Sequence, residues 1–231
     1  MMLHVKMNLI MNLELDKEYR YVVFNNLKKN YLGVLKDGTV DVKGLTGKKS
    51  HTPPFIRKTF YSMLDILGKV NTEKDFDTAR EKIKELIKES AKKLESDKYP
   101  LEDLSFNVMI NKSPEKYGKR TSENSKATSI DGHGSRTNSM KGIPQHIKAA
   151  MQFSDNERQI KAGDIISYVK TKTAEGVKPV ELANHRDIDT EKYLEAMEST
   201  FDQMLTALDV NFKSIIGKPR QSNLDELFWS N

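Results

Sequence analysis

Lysines dominate the side chains here that could do chemistry, and they cluster. Between positions 28 and 58 stand Lys28, Lys29, Lys36, Lys43, Lys48, Lys49, Arg57 and Lys58, against only Asp37 and Asp41, a net of +6. The whole chain has 38 basic and 33 acidic residues, net +5, so everything outside that stretch sums to −1. A concentrated basic stretch on a near-neutral body is the footprint of a polyanion partner. The same charge would also suit a merely solvated surface.

No catalytic constellation stands beside these lysines. The five histidines are His4, His51, His133, His146 and His185, and no two share the spacing of a metal-binding helix face. There is no cysteine, which removes thiolate zinc sites, disulfides and a cysteine nucleophile. Gly132-His133-Gly134-Ser135 lacks the strand–turn–helix setting of a serine hydrolase elbow. No phosphate-cradling glycine loop occurs. Asp187-Ile188-Asp189 could offer two carboxylates to magnesium. The same pattern also describes the start of a helix, with Asp189 as its cap and Asp187 near the positive end of the dipole, and we favour that reading.

The elements that position these residues can be read from pattern. At 231 residues, 37% hydrophobic and 31% charged, the chain can bury a real core. Residues 19–26 (YRYVVFNN), 28–35 (KKNYLGVL) and 39–42 are β-branched and aromatic, with turn chemistry at Lys36-Asp37-Gly38. They predict a small antiparallel meander. Pro53-Pro54 opens a helix over 55–67, with Phe55, Ile56, Phe60, Met63, Leu64 and Leu67 at helical spacing. A longer helix is predicted over 75–94, where Ala79, Ile83, Leu86, Ile87, Ala91 and Leu94 form one stripe. Residues 104–110 and 165–172 read as strands, with Gly176 and Pro179 as breakers after the second. Asp189 caps a final helix through Leu208, whose buried face carries Leu194, Met197, Phe201, Met204, Leu205 and Leu208.

Residues 118–142 differ from the rest. They hold five serines, four glycines, three threonines and two asparagines, with only Ala127, Ile130 and Met140 apolar. Such a segment buries too little to offset its ordering entropy and is expected to be a flexible insertion. No apolar run approaches the ~20 residues of a membrane span. The first ten residues include Lys6 and lack a small-residue cleavage site, so no signal peptide and a cytoplasmic location are expected.

Lys28-Lys29-Asn30-Tyr31, followed by Leu32-Gly33-Val34, resembles the family B DNA polymerases, closest to archaeal replicative ones. The likeness continues in order. Leu13-Glu14-Leu15 followed by Tyr19 is similar to the strand that comes after the family's catalytic YxDTD-type hairpin. Lys43-Gly44 resembles its Lys-Gly element, and Lys48-Lys49-Ser50 stands where Arg-Arg-Asp is usual. Pro144-Gln145-His146-Ile147-Lys148-Ala149-Ala150 resembles a PQHVKAA-type thumb segment. Gly163-Asp164-Ile165-Ile166-Ser167-Tyr168-Val169 and residues 189–193 resemble later thumb elements. The likeness spans residues 13–208, roughly the last quarter of a complete polymerase.

The resemblance implies an α+β fold: residues 1–54 completing the palm with a small antiparallel sheet, and 55–231 forming a mainly helical thumb, with the insertion at 118–142 and a tail at 217–231. It implies DNA contacts from Lys28, Lys29, Tyr31, Lys43, Gly44, Lys48, Lys49, His146 and Lys148, with Arg57 and Lys58 extending the basic surface. Lysines on phosphates grip a duplex without reading its sequence, because the backbone charge is the same at every step. Lys48-Lys49 departs from the family's arginine pair and loses the bidentate fork. The family's two metal-holding aspartate motifs and its fingers lysine and tyrosine do not occur in this chain. No catalytic residue and no bound metal are therefore assigned to it. Mg2+ and the aspartates are expected in an assembled polymerase, from a larger partner chain bearing exonuclease, fingers and catalytic palm. The competing reading is a non-catalytic DNA-binding remnant without a polymerase partner.

The tail carries a further pattern. Gln221, Leu224, Leu227 and Phe228 fit the Q-x-x-h-x-x-a-a spacing of peptides that bind the sliding clamp, with Leu227 at the first aromatic place. They follow Gly217 and Pro219, as a detached tail would. An amphipathic helix docked on the thumb is the alternative.

Overall fold

The computed structural model describes residues 15–25, 28–112, 143–153 and 160–217. The meander forms as β1 (Tyr19–Phe24), β2 (Tyr31–Leu35) and β3 (Val40–Lys43), antiparallel in the order β1-β2-β3. Gly38, at φ +87, supplies the left-handed residue between β2 and β3. The Asp37 carboxylate accepts from the Thr39 N–H at 2.8 Å, an Asx-type closure of that turn.

Strand alternation divides this sheet into two faces. Leu32, Val34 and Val42 point inward and are buried. They meet Phe55, Ile56, Phe60, Met63, Leu64 and Leu67 of α1 (Pro54–Gly68). Pro53 and Pro54 start that helix where a missing N–H costs nothing. Helix α2 (Glu73–Glu95) packs beside it through Ile83, Ile87, Ala91 and Leu94. A capping box of Thr72 and Asp75 begins α2. The Asp75 carboxylate accepts from the Asn71 and Thr72 N–H groups, which holds its pKa below the ordinary range.

A short helix, α3 (Leu101–Leu104), leads into a second antiparallel sheet of β4 (Phe106–Met109), β5 (Ile165–Lys170) and β6 (Val177–Pro179), in that order. Helix α4 (Gln145–Ala150) packs on it, and Ile110, Ile147, Ala149, Ala150, Ile166, Tyr168 and Val177 make a smaller second core. Helix α5 (Thr190–Leu205) returns to the main core with Leu194, Met197, Phe201, Met204 and Leu205. Asp189 caps it by accepting from the Lys192 N–H at 3.2 Å. Tyr193 of α5 ties the two regions together. Its hydroxyl donates to the Leu104 carbonyl at 2.7 Å and accepts from the Lys170 N–H at 3.1 Å. Helix α6 (Phe212–Ile215) closes the main core.

The α+β class stands as the resemblance implies and the meander as the pattern predicts, with corrections at several boundaries. The second strand begins at Tyr31, not Lys28, because Lys28 and Lys29 form the turn before it. Lys29 has φ 63, a left-handed conformation that no strand residue adopts, so Tyr31 and Lys29 do not alternate along one strand. Strand β5 stops at Lys170, and Pro179 ends a strand that the sequence reading treats as a break. The last helix ends at Leu205 and tightens into a 3-10 turn over Thr206–Leu208. The predicted insertion at 118–142 and the N-terminal residues before Leu15 lie outside the described residues. No helix among the described residues is long and apolar enough to cross a membrane.

Candidate nucleic-acid interface

The outer face of the first sheet carries the residues that its inner face does not use. Tyr31 pairs with Lys43 on one side and Phe24 on the other, so the three form a row across the strands. Phe24 is 68% exposed. Its ring lies 6.0 Å from that of Tyr31. On the other side of Tyr31, Tyr19 stands edge-on, with centroids 6.2 Å apart and planes at 82°. Gly33 makes room for this. Any Cβ there would run into the Tyr19 ring.

The Tyr19 hydroxyl donates to Asp41 Oδ2 at 2.8 Å and lies 3.4 Å from the Tyr31 hydroxyl. Lys17 Nζ reaches the same Asp41 oxygen at 2.8 Å. The Lys17 and Tyr19 hydrogen bonds hold the Asp41 carboxyl below its usual range, and Asp41 in turn raises Lys17. Tyr19 is pushed well above an ordinary phenol, first by its contact with Tyr31 and then by Asp41.

The lysines gather at one end of this face. The Lys28-Lys29 turn precedes Tyr31, and Lys43 ends β3 beside it. Gly44 binds the two together. It has φ +71, and a Cβ there would collide with the Asn30 carboxamide and come within 2.9 Å of the Lys29 carbonyl. A 3-10 turn at Thr46–Lys48 follows, with Lys48 Nζ donating to the Val42 carbonyl at 3.4 Å. Gln203 of α5 holds this turn by accepting from the Thr46 N–H at 2.9 Å and donating to its hydroxyl at 2.7 Å. Gly47 is buried beneath the Phe60 ring, where no side chain fits. Lys28, Lys29, Lys43, Lys48 and Lys49 are all exposed.

The remaining candidates stand apart. His146 and Lys148 sit on α4 in the second core, away from the first sheet. His146 is half-buried, and that burial lowers its pKa by disfavouring the imidazolium. Lys58 is engaged with Asp103 at 2.8 Å, and Arg57 leans on the Ser50 carbonyl at 3.5 Å. Both are less free than their charge suggests. Asp187 is taken by Lys178 at 2.9 Å and by the Asn184 N–H, while Asp189 caps α5. The helix-start reading therefore holds for Asp189, while Asp187 ends a 3-10 turn of its own over His185–Asp187. Gln221, Leu224, Leu227 and Phe228 lie outside the described residues. The sequence reading gives Tyr19 only as a strand residue and does not single out Lys17; their alternation across the start of β1 is the available signal.

A family model for DNA polymerase family B matches residues 4–130. DNA polymerase 1 of Saccharolobus solfataricus is 39% identical over 211 residues, covering 91% of this chain and 21% of that protein. DNA polymerase 1 of Sulfolobus acidocaldarius is 36% identical over 212 residues, covering 92% and 22%. Among solved structures, the family B DNA polymerase of Pyrobaculum calidifontis superposes with a TM-score of 0.56 at 20% identity, over 83% of this chain and 22% of that one, a likeness of fold. The chain spans about a fifth of the length of the curated relatives it matches. On the family match, which takes in more than half of its residues, the chain belongs to the family B DNA polymerases.

Proposed function

We propose that this chain is the end of the palm and the thumb of a family B DNA polymerase, and that it grips primer–template duplex for DNA replication. A larger partner chain supplies exonuclease, fingers and catalytic palm. The observation that carries this reading is the outer-face row of exposed Phe24, half-buried Tyr31 and exposed Lys43, with the Lys28-Lys29 turn and Lys48-Lys49 at its end. Lysine ammonium groups neutralise successive phosphates, and Tyr31 adds a hydroxyl donor and a flat apolar surface for sugar. No step of nucleotide addition is assigned to these residues.

Phosphoryl transfer in such an enzyme needs metal-held phosphates. The described carboxylates do not fit that task. Asp41 is held by Lys17 and Tyr19, Asp187 by Lys178, and Asp189 by its helix. Mg2+ would therefore be held by the partner's residues, while this chain orients the duplex, a substantial part of catalysis by positioning. The tail residues Gln221, Leu224, Leu227 and Phe228 would engage a sliding clamp.

Primer extension tests this reading. The chain alone is expected to bind duplex DNA weakly and to extend nothing. Adding a family B chain that carries the exonuclease, fingers and catalytic aspartates is expected to yield extension above that of the larger chain by itself. Extension by the pure 231-residue chain, or no gain on mixing, would overturn it.

A further inference from the structure

We infer that Gln203 of α5 is a positioning residue, which sets Lys49 on a duplex phosphate by fixing the turn that carries it. The inference rests on the proposed duplex-binding role of the basic surface. It needs no contact between Gln203 and DNA.

The tie is made at Thr46, whose polar groups all have partners inside the fold. Its N–H donates to Gln203 Oε1 at 2.9 Å, and its hydroxyl accepts from Gln203 Nε2 at 2.7 Å. Its carbonyl accepts from the Thr52 hydroxyl at 2.8 Å and from the Lys49 N–H at 3.0 Å. A single residue thus links Gln203 to the Lys49 main chain, although Thr46 and Gln203 stand 157 positions apart in sequence. A carboxamide suits this place because it accepts and donates at once, whereas a carboxylate only accepts and an ammonium only donates. Gln203 follows buried Phe201 by two positions and precedes buried Met204, where an apolar side chain would extend the core. The two bonds to Thr46 account for a polar residue there.

Packing holds the floor of the turn, and Gln203 holds its polar side. Leu45 and Gly47 are buried on either side of half-buried Thr46, with Gly47 against the Phe60 ring. Without Gln203 the Thr46 N–H loses its acceptor, and the turn must shift to bring that group to water. Such a shift moves the Thr46 carbonyl and with it the acceptor of the Lys49 N–H. Lys49 is the first residue past the turn, extended at φ −71 and ψ 141, and it is exposed. Lys48 Nζ instead bends back to the Val42 carbonyl at 3.4 Å. With its main chain already fixed, Lys49 has only its side chain to order when it meets a phosphate, which lowers the entropic cost of the contact.

The test is the salt dependence of duplex binding by the 231-residue chain, read by anisotropy of a labelled primer–template duplex. Lys49→Ala should lower the slope of log K against log salt by about 0.9, the worth of one phosphate contact. Gln203→Met keeps the side-chain length and loses both hydrogen bonds. It should lower the slope by about the same amount, and the double variant should fall no further than either single one. A merely structural glutamine would lower the urea unfolding midpoint and leave the slope of the folded chain where it was, which would overturn the inference. Falls that add in the double variant, or a slope that Lys49→Ala does not move, would overturn it too. If Gln203→Met does not fold, Thr46→Val decides. It removes only the hydroxyl partner and should lower the slope by part of that amount, and an unchanged slope there overturns the inference. Lys43→Ala separates the two levels. If it lowers the slope while Gln203→Met does not, the surface grips duplex and the positioning role is wrong. If neither Lys43→Ala nor Lys49→Ala lowers it, the duplex-binding reading fails as well.

Discussion

Asn30 fills the space where Gly44 would carry a side chain. The Asn30 carboxamide sits against the Gly44 Cα, and the Lys29 carbonyl closes the other side. The lysine turn before β2 and the Lys-Gly end of β3 are thus one packed unit. Fourteen positions apart in sequence, Asn30 and Gly44 fix how far Lys29 stands from Lys43.

Gly44→Ala should break this unit. Gly176 is the control, since it shares a positive φ (+75 against +71) but has nothing within 4 Å of its added Cβ. The left-handed backbone costs both alanine variants a similar amount, of order 1 kcal/mol. Gly44→Ala must also displace Asn30 and the Lys29 backbone, and should lose about 1–3 kcal/mol more. Urea unfolding midpoints of the two variants measure the difference. Equal losses would mean that the turn yields freely.

The basic end of the sheet should show in salt dependence. Replacing Lys28, Lys29 or Lys43 by alanine should each lower the slope of log K against log salt by about 0.9, equally for any duplex sequence. Lys58→Ala should change it less, because Asp103 already neutralises that ammonium. Folding should hold within ~0.5 kcal/mol for Lys28 and Lys43, which are exposed. Lys29 is left-handed, so Lys29→Gly should be more stable than Lys29→Ala by about 1 kcal/mol while losing the same slope. A slope that does not move, or a loss confined to one DNA sequence, would contradict phosphate gripping.

Much of this arrangement was legible before any coordinates. Leu32, Val34 and Val42 alternate as a half-buried sheet must, and Phe55 to Leu67 repeat as a helix must. What escaped was decided by contacts far apart in sequence or by segments too short to show a period. Lys17 and Asp41 meet across 24 positions, and nothing local marks either as a partner. The left-handed φ of Lys29 has no signal in its residue type, so the strand was started three residues early. Six residues of α4 and three of β6 cannot establish a period of 3.6 or 2. The motif marks His146 as a DNA contact but carries no sign of its burial beside the second core, which disfavours the imidazolium.

That burial predicts a pH effect. The folded pKa of His146 lies below its ordinary 6.5, because desolvation penalises the imidazolium. Below 6.5 the unfolded chain binds the proton more readily than the folded one. The stabilisation from neutral His146 is therefore complete above 6.5 and is lost as pH falls through the folded value. His146→Gln should flatten this part of the profile of unfolding midpoint between pH 8 and pH 5. It should also leave the salt slope of DNA binding at pH 7.5 unchanged, since a neutral ring releases no counterion. A lowered slope in that variant would mean that His146 binds as a cation.

The last prediction concerns the tail. Leu224, Leu227 and Phe228 fall at i, i+3 and i+4, so one helical turn sets them on a single face, with Gln221 a turn earlier. A segment that orders on binding gives up part of its contact energy, so an isolated peptide of residues 221–231 should bind a sliding clamp only weakly, at about micromolar Kd. A polymerase already on DNA raises the local concentration of its own tail, which makes a weak contact sufficient. Deleting residues 221–231 should therefore leave extension on short templates intact in the assembled enzyme and abolish only the stimulation by the clamp. Trp229 is the sole tryptophan of the chain, so its fluorescence should report clamp binding directly. If the deletion lowers the unfolding midpoint, the tail is a structural part of the thumb. If stimulation survives the deletion, the clamp contact lies elsewhere.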